Sequence, residues 1–179
     1  EPIGDPEKFP AAIDDFVAKA DQSDLKLVFY EINQELTMSL HESGFDFIKT
    51  GEDGLVDLDS FTLSGKRHRG ERALMHKFDR EGYQFEILQP PFTDSLMTTL
   101  KQISDEWLDH KAEKGFSLGF FDRYYLEQAP IAVMRDKAGK IVAFANVMPD
   151  GNKTTTSIDL MRSSSEAPSG IMDGILINL

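Results

Sequence analysis

The first sixty residues contain two helical patterns of apolar positions separated by short apolar runs. Phe9, Ile13 and Val17 recur at helical spacing, which predicts a helix over residues 6–20. A second helix is predicted over residues 34–43, where a glycine follows the last helical position. Runs rich in strand-forming residues predict three strands, at 25–32, 45–49 and 55–58. The first part of the chain is therefore predicted to be α–β–α–β–β.

The remainder of the chain predicts four strands and four helices. The strands are expected at 83–88, 131–136, 140–148 and 154–161. The helices are expected at 64–82, 94–111, 122–127 and after residue 170. Asp94 is the predicted cap of the long second helix, with Leu100, Ile103 and Trp107 on its inner side.

This order of elements resembles the acetyltransferase-like fold named for the Gcn5-related N-acetyltransferases. We therefore predict an α+β fold with a mixed sheet and flanking helices, as part of a tandem pair. Residues 1–62 are expected to be the C-terminal part of a first unit, and residues 63–179 a second unit that is incomplete at its C-terminus. The chain begins abruptly and stops in an apolar run, so we expect it to be truncated at both ends.

Composition narrows the possible chemistry. The 179 residues include no cysteine, which excludes disulfides, thiolate metal sites and thiol nucleophiles. The four histidines are scattered without metal-ligand spacing. No pyrophosphate-binding glycine loop occurs, which argues against an ordinary acetyl-CoA-dependent enzyme. No apolar run is long enough to span a membrane.

The formal net charge is −12, which disfavours binding to nucleic acids or anionic lipids unless a local positive patch exists. One segment supplies such a patch, and its basic residues are Lys66, Arg67, Arg69 and Arg72. We consider two interpretations: a site for phosphates of a nucleic acid or a lipid headgroup, and an ordinary solvated helix face.

The last predicted strand carries an acidic and a basic residue, Asp159 and Arg162, near its end. Regular alternation would place Ile158 and Leu160 on one face and Asp159 and Met161 on the other. A carboxylate and a guanidinium there could orient an amine, accept a proton or hold a phosphate. The alternative is a structural ion pair at the end of a strand.

Several short blocks occur together in one order along the chain. They lie at 63–67, 80–83, 103–108, 114–119, 141–146 and 159–162, and Ala167-Pro168 and Met172-Asp173 follow them. Across Gly51 to Asp173 these blocks resemble the C-terminal domain of the multiple peptide resistance factor family, the lysyl- or alanyl-phosphatidylglycerol synthases. The combination is far more specific than any single block.

The resemblance implies an enzyme that transfers an aminoacyl group, with lysyl as the expected one, from aminoacyl-tRNA to the glycerol hydroxyl of phosphatidylglycerol. The product would make the membrane less anionic and confer resistance to cationic antimicrobial peptides. It implies two acetyltransferase-like units with a tunnel between them, no metal and no organic cofactor. The expected partners are aminoacyl-tRNA, phosphatidylglycerol and the membrane surface, reached through a transmembrane region of the full-length protein. The expected location is the cytoplasmic face of the bacterial cell membrane.

The resemblance also implies roles for individual residues. Asp159 and Arg162 are the expected catalytic residues. Substrate-binding residues are expected at Glu52, Ser117, Asp122 and Tyr125. From its charge alone, the basic segment is expected to bind phosphates of tRNA or of the lipid headgroup, through Lys66, Arg67, Arg69 and Arg72. The alternatives are a transferase of the same fold that acts on a peptide or cell-wall precursor, and a scaffold without catalytic activity.

Overall fold

A computed structural model of the chain describes residues 4–52, 54–115, 119–150 and 154–179. The chain divides into two compact units, Glu1–Val56 and Asp57–Leu179. The interpretation of the two units as parts of a tandem acetyltransferase-like pair, divided at residue 62, stays a prediction.

The first unit contains the two helices that the sequence predicts. Helix α1 (Phe9–Gln22) follows a short 3-10 helix, Pro6–Lys8. Helix α2 (Thr37–Glu42) follows another 3-10 helix, Gln34–Leu36. Buried apolar side chains join these elements into one small core, formed by Ile13, Leu36 and Leu40.

The prediction of three strands, at 25–32, 45–49 and 55–58, is wrong. No strand occurs among the described residues 4–52 and 54–60. Val28 and Ile48 are 85% and 88% exposed, so the apolar runs are not buried. Phe29 of the run at 25–32 and Phe45 of the run at 45–49 pack against the core. Their two rings contact each other edge to face, with centroids 5.0 Å apart. A strand needs a neighbour to hydrogen-bond with, and an apolar run alone does not supply one.

The second unit is built on a four-stranded antiparallel sheet. Its strands are β1 (Gln84–Leu88), β2 (Ile131–Arg135), β3 (Ile141–Pro149) and β4 (Thr156–Ser163). They lie in the order β1-β2-β3-β4, so each strand pairs with the next along the chain. The predicted α+β class and all four predicted strands of this unit are confirmed.

Helices cover both faces of this sheet. On one face lie α3 (Arg69–Glu81) and α6 (Ile171–Asn178), which contribute Phe78, Ile171 and Ile175 to a buried cluster. On the other face lie α4 (Asp94–Leu108) and α5 (Arg123–Leu126), which bury Leu100 and Leu126 among others. A fully buried side chain of this kind contributes about 1.5–3 kcal/mol to folding, so each face is held mainly by burial.

The predicted start of α3 and the predicted cap of α4 are wrong, whereas α4 begins at Asp94 as expected. Helix α3 begins at Arg69 and not at residue 64, because the preceding segment turns at Gly65, whose φ is +87°. Helix α4 is capped by Thr93, whose Oγ1 accepts a hydrogen bond from the backbone N–H of Leu96 at 3.2 Å, and not by Asp94.

The end of α4 also differs from the prediction. The helix stops at Leu108, because Asp109 takes a left-handed conformation with φ of +46°. Trp107, predicted to face inward, is 48% exposed.

Candidate active site

A β-bulge in the sheet determines where the candidate catalytic residues point. Asp159 and Leu160 of β4 both lie opposite a single residue of β3, Asn146, because the register shifts there. The flanking pairs are Ala145 with Met161 and Val147 with Ile158. The Asn146 side chain holds the bulge: its Oδ1 accepts hydrogen bonds from the backbone N–H of Asp159 at 3.3 Å and of Leu160 at 2.7 Å.

The bulge overturns the regular alternation predicted for β4. Ile158 and Met161 both pack into the cluster under α3 and α6, whereas Leu160 belongs to the cluster under α4 and α5. Asp159 and Arg162, three residues apart, therefore both face α4 and α5. Without the extra residue, a spacing of three would put them on opposite faces.

Asp159 is half-buried and its carboxylate is held by two groups. The backbone N–H of Gly119 donates to both oxygens, each at 2.9 Å. The Tyr125 hydroxyl donates to Oδ2. Burial raises the pKa of Tyr125 above its ordinary value, and the bond to Asp159 raises it further, while the Asn146 amide partly opposes both. Tyr125 is therefore protonated at neutral pH and is a hydrogen-bond donor.

The local sequence explains why these groups meet. Asp122 caps α5, since its Oδ1 accepts a hydrogen bond from the backbone N–H of Tyr125 at 2.8 Å. This cap fixes the start of the helix that carries the tyrosine. Gly119 is required by space: a Cβ there would lie 2.0 Å from the Asp159 Oδ2 and 2.7 Å from the Tyr125 Cε1.

Arg162 occupies a different environment on the same face. It is only 8% exposed, and its guanidinium lies over the Trp107 ring, 4.0 Å from the centroid. Its Nη2 pairs with the Glu113 Oε2 at 3.1 Å, and its Nη1 donates to the Met161 carbonyl at 3.0 Å. Among the described residues, Arg162 forms no ion pair with Asp159. The two residues thus share a face but do not form the direct pair that the sequence suggested.

The predicted substrate-binding residues divide into three groups. Tyr125 contacts Asp159, and Asp122 supports it through the α5 cap. Glu52 belongs to the first unit, where it is exposed and pairs with Lys49. Ser117 lies outside the described residues. The roles assigned to all of them in substrate binding stay predictions.

The predicted phosphate-binding residues are not equivalent. Lys66, Arg67 and Arg69 are exposed. Arg72 is partly buried, and its Nη1 donates to the carbonyls of Leu63 and, at 2.7 Å, of Gly65. Arg72 therefore anchors the segment before α3, which weakens its assignment as a phosphate ligand. Moreover, α3 packs on the sheet face opposite Asp159.

Four residues that shape this site were not predicted as site residues. They are Trp107, Glu113, Gly119 and Asn146. Three of them lie in blocks that carry the family resemblance, so those blocks held a usable signal. Glu113 lies just before such a block, and only the three-dimensional contact identifies it.

The described part of the chain gives no sign of a metal centre or a membrane span. No group of three or more His, Asp or Glu side chains there is arranged to hold a metal ion. None of its helices combines the length and the apolar character that crossing a bilayer requires.

The fold and site define an α+β domain with a half-buried carboxylate–tyrosine pair. Residues 1–179 match the family model described as "Phosphatidylglycerol lysyltransferase, C-terminal". The chain is 49% identical, over its full length, to the phosphatidylglycerol lysyltransferase of Bacillus subtilis (strain 168) and 40% identical to that of Staphylococcus epidermidis (strain ATCC 12228 / FDA PCI 1200). It spans 21% of the length of each. The chain belongs to the phosphatidylglycerol lysyltransferase C-terminal family, as its blocks of sequence predict.

Two solved structures share the fold closely. The structure of L-PGS from Bacillus licheniformis matches 98% of this chain with a TM-score of 0.92 and 49% identity. The C-terminal domain of a putative lysylphosphatidylglycerol synthetase from Agrobacterium fabrum matches 99% with a TM-score of 0.91 and 38% identity. This chain covers 56% and 57% of those two chains.

The Tyr125–Asp159 contact predicts an abnormal tyrosine titration. The wild-type protein has four tyrosines. The titration of Tyr125 alone is obtained by subtracting the tyrosinate absorbance curve of Y125F from the curve of the wild-type protein. The difference curve should have its midpoint above the ordinary value of about 10. Since the folded-state pKa is raised, the associated stability is present below about pH 10 and is lost as pH rises through the folded-state pKa.

Two further curves control this titration. D159N removes the charge that disfavours tyrosinate, so it should move the Tyr125 midpoint downward. Y124F, which removes the exposed neighbouring tyrosine, should leave the midpoint of Tyr125 in place. A Tyr125 midpoint at or below 10 in the wild-type protein would contradict the proposed environment.

Proposed function

We propose that this chain is the catalytic part of an enzyme that transfers a lysyl group from aminoacyl-tRNA to the glycerol hydroxyl of phosphatidylglycerol. The names of relatives up to 49% identical support the lysyl group and the lipid acceptor. The observation that carries the proposal is the Asp159 carboxylate, which the bulge turns toward Tyr125 and Gly119. The product would carry added positive charge, lower the negative charge of the membrane and confer resistance to cationic antimicrobial peptides.

The proposed reaction is a transesterification. The glycerol oxygen forms a bond to the ester carbonyl carbon of the aminoacyl group, and the bond from that carbon to the tRNA ribose oxygen breaks. The proton of the glycerol hydroxyl ends on the released ribose oxygen. The ester donor is already activated, so the balance requires neither an oxidant nor a further co-reactant.

Asp159 and Tyr125 fit the two demands of this reaction. A carboxylate can bind the α-ammonium of the aminoacyl group or accept the proton of the attacking hydroxyl. A phenol that stays protonated can donate to the developing oxyanion or to the leaving oxygen. Because Tyr125 already donates to Asp159, a proton can pass between the two groups without a large movement.

The proposed setting is the cytoplasmic face of the bacterial cell membrane. The chain spans only 21% of the relatives' length, which leaves room in a full-length protein for a membrane region. The proposed partners are aminoacyl-tRNA, phosphatidylglycerol and the membrane surface reached through that region.

Replacement of Asp159 tests the catalytic assignment. In the full-length protein, D159N should lower kcat/KM at least about 100-fold, because the amide neither accepts a proton nor carries charge. The assay measures lysyl transfer from charged tRNA to phosphatidylglycerol vesicles. D105N is the matched control, since Asp105 is exposed on α4 and, in the described part of the chain, has Lys101 as its ion-pair partner; its activity should match the wild-type value.

The same comparison separates the alternatives. A scaffold would show equal activity for D159N and D105N, which would refute the enzyme proposal. A transferase for a peptide or cell-wall precursor would lose activity toward that acceptor but show none toward phosphatidylglycerol in the wild-type protein.

The exposed basic residues before and within α3 predict a salt effect. The triple variant K66A/R67A/R69A should raise KM and flatten its dependence on salt concentration, because fewer phosphate contacts release fewer counterions. Arg72 is left intact because it anchors the segment before α3. Measuring KM separately for charged tRNA and for phosphatidylglycerol vesicles shows which substrate the basic residues bind.

The control for this experiment is a triple variant that changes the net charge equally. K8A/K19A/K26A removes three exposed lysines from the first unit. This control variant should change KM less than K66A/R67A/R69A does. Equal salt dependence in the α3 variant and in the wild-type protein would rule the patch out.

A further inference from the structure

The Glu113 carboxylate joins two parts of the segment between α4 and α5 to the sheet. Its Oε1 accepts a hydrogen bond from the backbone N–H of Phe121 at 3.2 Å. Its Oε2 accepts from the Arg162 Nη2 of β4 at 3.1 Å. The Glu113 side chain therefore links its own position to the Phe121 backbone and, through Arg162, to β4.

Arg162 is built into this arrangement rather than directed at solvent. Its guanidinium stacks on Trp107, and its Nη1 is bound to the Met161 carbonyl. Among the described residues, Glu113 is the acidic group that pairs with it. An arginine that is 8% exposed needs such a partner, because an unpaired buried charge is strongly unfavourable.

The anchored segment then reaches Asp159. Phe121, held by Glu113, lies two residues after Gly119, whose N–H donates to both Asp159 oxygens. There is no spare room at this contact, since a Cβ on Gly119 would fall 2.0 Å from Asp159 Oδ2. A small displacement of the segment therefore changes the hydrogen bonding of the carboxylate.

We propose that Glu113 is a positioning residue, which holds the Gly119 N–H against Asp159 by bridging Arg162 and the Phe121 backbone. Arg162 then acts through Glu113 and Trp107, and does not bind a substrate phosphate. The kinetic part of this inference rests on the proposed function, whereas the structural part does not.

The structural part is tested by amide exchange in the chain itself. In E113Q the glutamine oxygen can still accept from Phe121, but the charge on Arg162 loses its partner. The Gly119 amide should exchange about tenfold faster or more, which reports local opening. The Tyr125 titration midpoint should move as well. E166Q is the matched control, because Glu166 forms an exposed pair with Lys140, and it should change neither quantity.

A second variant covers the case in which E113Q does not fold. E113D keeps the charge but shortens the side chain by one methylene, so it cannot reach Arg162 and Phe121 together. Its Gly119 exchange should again rise severalfold, by local opening. Gly119 exchange at the wild-type rate in folded E113Q or E113D overturns the inference, whatever the activity of the enzyme.

The kinetic part uses the full-length protein. E113Q and R162K should each lower kcat by about tenfold or more while the KM for vesicles and for charged tRNA stays within about twofold. The double variant should lose little beyond either single variant, because both break one linkage. A raised KM with unchanged kcat in R162K would instead assign Arg162 to a substrate phosphate. If the wild-type protein shows no transfer, the proposed function fails and the exchange result still decides the role of Glu113.

Discussion

The bulge opposite Asn146 is the constraint on which the candidate site depends. One extra residue in β4 turns Asp159 and Arg162 to the same face of the sheet, where α4 and α5 lie. The cost of the bulge is two backbone N–H groups that lose their regular ladder partners. The Asn146 side-chain oxygen replaces those partners, because it accepts a hydrogen bond from each of the two N–H groups. A buried amide in the middle of an apolar strand is thereby explained by the geometry of the neighbouring strand.

The two charged residues on this face have different physical situations. Asp159 is half-buried beside a tyrosine and a backbone N–H, and we propose that it accepts a proton or binds an ammonium group of the substrate. Arg162 is enclosed by an indole ring and a carboxylate, and we propose that its charge mainly holds this part of the structure together. Proximity along the sequence suggested a single pair. We instead propose a chemical role for Asp159 and a supporting role for Arg162.

The sequence predicted the second unit well because its strands are buried and its helices are amphipathic. β2 and β3 each consist mainly of apolar residues, and α4 has apolar residues at helical spacing and a cap directly before its first residue. The first unit was predicted less well, because the runs around Val28 and Ile48 have strand composition but no partner strand among the unit's described residues. Composition records a tendency, whereas a strand forms only where a neighbour pairs with it.

The same limit applies to the site. The Asp-Leu-Met-Arg block identified Asp159 and Arg162, but alternation gave the wrong faces, because a bulge is set by register and not by composition. Tyr125 and Asp122 were predicted as substrate-binding residues, but the helix cap that Asp122 forms was not predicted. Glu113 joins the site only across 49 residues of sequence, and no local pattern encodes such a contact.

The central claim is that Asp159 and Tyr125 form one catalytic unit on the face created by the bulge. A double-mutant cycle on lysyl transfer by the full-length protein tests it most directly, with D159N, Y125F and the combined variant. If the two groups act together, the double variant loses little more activity than D159N alone, and the coupling is large. If the two losses simply multiply, the residues act independently and the account of the site is wrong.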